Sequence, residues 1–159
     1  MKKRIVFYVV AVLLLSSVPL SGFSQRYKTG IGARLGGFSG FTVKHFVNNQ
    51  NAIEGLLTFR WGGTVITGLY EWQKPISGAP NLDWEIGLGA HLGFINDDYT
   101  YYHHHYNSET VAGIDFIIGL EYTFKDAPIS IGLDWKPAIN FTDAGWWGDG
   151  IGLSVRYNF

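Results

Sequence analysis

The densest group of metal-binding side chains is the run His103, His104 and His105, flanked by Tyr99, Tyr101, Tyr102 and Tyr106 and close to Asp97, Asp98 and Glu109. Imidazoles and carboxylates are ligands for Zn²⁺ or Cu²⁺, which makes the three histidines the candidate metal contacts. Adjacent histidines converge on one ion only where a scaffold bends them together. Without one, the run is a polar, aromatic loop whose tyrosines suit a saccharide or a protein partner. Two further histidines, His45 and His91, lie on strand-like patterns. Nucleophilic catalysis needs a base and a nucleophile in mutual reach. Ser130 falls at the wrong end of its strand and Ser154 near mid-depth of the last one, so neither is placed to pair with them. The expectation is a protein without a catalytic pair or a cofactor.

A second set of residues is more regular. Six bases (Lys28, Arg34, Lys44, Arg60, Lys136, Arg156) and seven acids (Glu54, Glu71, Asp83, Glu85, Asp115, Glu121, Asp134) recur on alternate positions of apolar stretches, with His91 in the same phase. Charges of both signs in such numbers on one face form a salt-bridged network if that face is enclosed, because an unpaired buried charge costs several kcal/mol.

The elements that carry these residues are strands. After residue 25 the two-residue period dominates and no helical period of useful length occurs. Residues 151–159 alternate Ile151, Leu153, Val155, Tyr157 and Phe159 with Gly152, Ser154, Arg156 and Asn158. The same alternation covers 129–141, 110–124 and 82–94, and less regularly 27–35, 41–47, 52–61 and 64–72. Glycine, asparagine, proline and aspartate separate these stretches, as turns require. Residues 73–81 are long for a turn on their side of the sheet. The count is eight antiparallel strands, an even number, as bacterial membrane barrels have.

Alternation alone does not say which face points outward. Three features put the polar face inside. It is rich in small residues (Gly30, Gly32, Gly87, Gly89, Gly93, Gly113, Gly119, Gly132, Gly152), leaving room for a few long charged ones in an interior that side chains just fill at eight strands. Its charges are nearly balanced. The apolar face is bounded by aromatics at both ends: Tyr27, Tyr70, Trp72, Trp84, Tyr122, Phe124, Tyr157 and Phe159 at one, and Phe41, Phe59, Trp61, Phe94 and Phe141 at the other. Two aromatic girdles around an aliphatic band mark a membrane-spanning wall.

The start of the chain fits that destination. Met1, Lys2, Lys3 and Arg4 precede an unbroken apolar run over 5–15, too short to span a bilayer. Small residues follow, with Gly22 and Ser24 at the −3 and −1 positions of a cleavage before Gln25. This layout predicts a secretory signal peptide over 1–24 and a barrel over 25–159. No cysteine is present, so no disulfide or lipid-anchored cysteine is expected. Without Lys2, Lys3 and Arg4 the twelve basic residues fall to nine against thirteen acidic ones. A mildly acidic chain lacks the basic face that nucleic acid needs. Charged residues are 16% of the chain, below the ~25% of ordinary soluble domains, and aromatics are also 16%. Asp97, Asp98, Glu109, Asp143 and Asp149 fall on the side of the longest loop, 95–109, while Arg26, Lys74 and Lys125 fall opposite.

The terminal strand ending in Phe159 resembles the C-terminal signature of outer-membrane barrels that the barrel assembly machinery recognises. Over the whole mature chain the layout is similar to OmpX-like barrels and the membrane domain of OmpA. Leu133-Asp134-Trp135-Lys136-Pro137 and Trp147-Gly148-Asp149-Gly150 resemble segments of small uncharacterised barrels of Bacteroidota. The resemblance implies an all-β, eight-stranded transmembrane barrel in the cell outer membrane, surrounded by lipid and lipopolysaccharide. Its lumen is expected to be plugged by ion pairs, with outer loops as the working surface and a divalent cation or external partner at 95–109. The alternatives are a narrow passive channel and a lipid-modifying enzyme.

Overall fold

The structure is a computed structural model and describes residues 27–60, 62–95, 109–141 and 145–159. Among these, every regular element is a strand: β1 Thr29–Gly36, β2 Ser39–Phe46, β3 Asn51–Arg60, β4 Gly63–Pro75, β5 Leu82–Ile95, β6 Glu109–Thr123, β7 Ile129–Trp135, β8 Ala138–Asn140, β9 Trp146–Trp147 and β10 Ile151–Asn158. Each neighbour in the sheet runs antiparallel. β5 pairs β6, and β1 pairs β10 in register from Gly30↔Asn158 to Gly36↔Gly152, so the sheet closes on itself. Counting β7 with β8, and β9 with β10, as two interrupted staves, the barrel has eight.

Closure gives every long strand an inner and an outer face, and the residue parity decides which side chain goes where. Outward positions carry Ile31, Leu35, Phe41, Ile53, Ile66, Ile86, Leu88, Phe116, Ile118, Leu133 and Leu153, all exposed. The described outward positions carry no charge except Lys74, at the end of β4, and the ionisable His45 on β2. The rim that holds Phe159, called lower here, is ringed by Tyr70, Trp72, Trp84, Tyr122, Phe124 and Tyr157. Three of these contacts are edge-on rings two residues apart, Tyr70–Trp72, Tyr122–Phe124 and Tyr157–Phe159. The upper rim exposes Phe41, Phe59, Phe94 and Phe141.

Three details depart from the expected layout. Tyr27, expected in the lower girdle, is buried and points inward. The long connector 73–81 is mostly strand: Gln73 and Pro75 pair Glu85 and Asp83, leaving 76–81 as the turn, with Asn81 at φ 66°. Polar residues there read as a loop because Gln73 faces the polar interior while Pro75 sits at a strand end, where no ladder donor is needed. The stave expected over 129–141 is interrupted between β7 and β8 at Lys136 and Pro137. Proline has no N–H to give the ladder, and the chain there keeps only the Phe116 N–H to Pro137 carbonyl bond on the β6 side.

Candidate functional site

The inner face is where the ionisable residues converge, in layers. At the lower mouth Tyr27, Phe46 and Ala52 form an apolar cluster, with Tyr27 edge-on to Phe46. Above it, Lys44 of β2 and Arg156 of β10 hold four glutamates from four strands. Lys44 pairs Glu85 and lies 2.7 Å from Glu71 and 3.8 Å from Glu121. Arg156 pairs Glu54 and lies 2.7 Å from Glu121. Neutral donors complete the layer: the Tyr27 hydroxyl and the Gln73 amide both donate to Glu121, at 2.7 and 3.1 Å. Gln73 also reaches Asp83 at 3.2 Å. Thr42 donates to Glu54 and accepts from Arg156 at 3.1 Å.

Leu56, Leu69 and Ile117 form a second apolar layer at mid-height. Above them Arg34 pairs Asp134 and donates to the Gly150 carbonyl at 3.0 Å. Beside it Lys136 pairs Asp115, whose other oxygen lies 2.7 Å from His91 Nδ1, while His91 Nε2 lies 2.9 Å from Asn140 Oδ1. The top is closed by Phe38, Val65, Val111, Ala138 and Trp147. Phe38 and Trp147 rings are 5.4 Å apart, and Trp147 stacks on His91 at 4.9 Å. Arg60 and Lys136 sit over the Phe38 ring at 4.3 and 4.7 Å, a cation–π arrangement.

Glycine makes this layering possible. A Cβ on Gly152 would run into the Arg34 guanidinium, and one on Gly87 would come within 2.9 Å of Glu71 Cγ. The small residues expected on the polar face are therefore the space that the long ones occupy.

Of the expected network, Arg34, Lys44, Glu54, Glu71, Asp83, Glu85, His91, Asp115, Glu121, Asp134, Lys136 and Arg156 are all buried inside the barrel. Two differ. Lys28 is exposed, because it precedes β1 and lies below the enclosed wall. Arg60 is at the upper rim, paired to the exposed Asp149. The charge balance shifts accordingly. The lower layer sets two cations against Glu54, Glu71, Glu85, Glu121 and Asp83, while the upper layer is near neutral.

The pattern missed Phe38, Trp147, Tyr27, Thr42 and Gln73 as members of the interior, whereas Asn140 lies inside with the polar face of its strand as expected. Thr42 was legible from strand parity. Phe38 was not, since an aromatic in a glycine turn carries no period. The turn folds it inward because Gly36, at φ 140°, reverses the chain while Ser39 Oγ caps it from both sides.

Of the candidate bases, His45 faces outward, 2.9 Å from Thr29 Oγ1. Ser130 donates to Asn158 at 3.3 Å, away from both strand histidines. His103, His104 and His105 lie outside the described residues, as do Asp97, Asp98, Asp143 and the expected signal peptide. Comparison with protein-family models gave no match, and neither did comparison with curated protein sequences. The class that the geometry defines is a closed eight-stranded antiparallel β-barrel with an ion-paired interior.

Proposed function

We propose that the chain is an outer-membrane barrel with a structural or surface-interaction role, whose lumen is plugged and whose upper loops are its working surface. The observation that carries this is the inversion of the usual polarity. Ionic side chains fill the inside, and a largely apolar wall with two aromatic girdles faces outward. Water would make that wall costly, at roughly 25 cal/mol per Å² of apolar surface, whereas hydrocarbon is its natural solvent. β5 and β6, at 14 and 15 residues, exceed the ~9–11 that a tilted strand needs to cross a bilayer core. Lipid and lipopolysaccharide are then the surrounding partners, and the barrel assembly machinery the route of insertion.

A plugged interior argues for interaction rather than transport. Three apolar clusters alternate with two ionic layers along the axis, and eight staves enclose little more than their own side chains. Purified protein in planar bilayers tests this reading. Membrane insertion with no stable conductance to sugar-sized solutes is the expected result. Stable openings of that size would make the polar residues the lining of a pore, and failure to insert would remove the membrane role altogether.

A further inference from the structure

We propose that His91 is a protonation-dependent latch holding β8 and β9 across the upper mouth. The argument rests on which groups can donate. Asn140 Nδ2 lies 2.6 Å from the Gly145 carbonyl, which can only accept, so the amide oxygen is the atom turned toward His91. That oxygen lies 2.9 Å from Nε2, and it too can only accept. On the other side of the ring, Nδ1 meets Asp115 Oδ2 at 2.7 Å, while Asp115 Oδ1 is taken by Lys136. Both ring nitrogens therefore face acceptors. Two acceptors need two donors, and an imidazole has two N–H groups only as the cation.

The groups packed around the ring agree. β6 brings the Asp115 carboxylate, and the β7–β8 junction brings Lys136, which shares it. β9 brings Trp147, stacked at 4.9 Å with 23° between planes. β4 brings Thr67, paired opposite His91 and uncharged. Arg60 of β3 is the further cation, on the Trp147 ring rather than on His91. One carboxylate thus serves two cations, and an aromatic face lies against each of them.

Loss of one proton undoes a single bond. If Nδ1–H stays on Asp115, the Nε2 lone pair opposes Asn140 Oδ1. Turning the Asn140 amide moves the conflict to the Gly145 carbonyl, which also accepts the Asn140 backbone N–H at 2.9 Å. Either way the tie from β5 to β8 and β9 loosens, and of the two cations against Trp147 only Arg60 remains. The latch is therefore closed while the ring holds both protons and opens when one of them leaves.

The test is nuclear magnetic resonance on the whole mature chain in detergent micelles, with ¹⁵N-labelled histidine, from pH 5 to 9. His91 is expected to show two protonated nitrogens at the acid end and one at the alkaline end. Over the same range, amide exchange at Asn140 and Trp147, corrected for its intrinsic pH dependence, should rise about tenfold, as loss of one buried hydrogen bond implies. In His91→Gln, whose amide donors do not change with pH, that rise should vanish. A His91 that is neutral at pH 5, or still doubly protonated at pH 9, overturns the proposal whether or not the variant folds. So does an equal rise in His91→Gln.

Discussion

At the scale of single residues, the interior is a problem of space and charge solved together. Arg34 can lie flat against β10 only because residue 152 has no Cβ, and in that place it meets Asp134 and the Gly150 carbonyl. Gly152→Ala is therefore expected to push the guanidinium off its partner and leave a buried carboxylate unpaired. Breaking a buried pair costs about 3–5 kcal/mol. Gly55→Ala is the control: nothing lies within 4 Å of its Cβ, so the outward methyl should be neutral or slightly stabilising. Urea midpoints in lipid vesicles measure both. A second residue prediction sits at the upper rim. The hydrogen bond from Arg60 holds the Asp149 carboxyl below its usual range. Its folded value then lies under its unfolded one, so the tie stabilises at neutral pH and is lost as pH falls through the folded value. Asp149→Asn should lower the midpoint only slightly at pH 7, because an exposed pair is worth little, and the difference from the parent should shrink as pH falls through the acid range.

At the scale of elements, strand parity carried most of the information and its interruptions carried the rest. The eight staves, the outward apolar band and twelve of the fourteen charged or histidine members of the interior follow from a period of two. Parity is legible because one face of each strand is apolar and exposed while the other is polar and enclosed. Features outside that period were not legible. β4 runs to Pro75 because Gln73 bonds across the lumen to Glu121, a partner 48 residues away. Tyr27 turns inward because Glu121 takes its hydroxyl. Phe38 and Trp147 come from turn-rich sequence, yet together they close the upper mouth. Replacing either by alanine removes a buried ring and should cost about 3–5 kcal/mol, read again as a shift in the unfolding midpoint. The barrel should still form, since its ladders are untouched. In planar bilayers the double variant Phe38→Ala, Trp147→Ala should stay closed to sugars, because two ionic layers and two apolar clusters remain below. Large openings in that variant would mean that the upper cluster alone is the plug.

At the scale of the whole molecule, the claim that organises everything else is that the outward face of the closed barrel meets lipid. β10 tests it along one strand, since Ile151, Leu153 and Val155 are exposed while Gly152, Ser154 and Arg156 are buried. A nitroxide placed in turn at 151 through 155 in vesicle-reconstituted protein reports both oxygen, which concentrates in hydrocarbon, and a water-soluble nickel complex, which does not. Labels at 151, 153 and 155 should be relaxed by oxygen and shielded from nickel, and those at 152 and 154 shielded from both. Strong nickel relaxation at 153 and 155 would place that face in water and contradict the account.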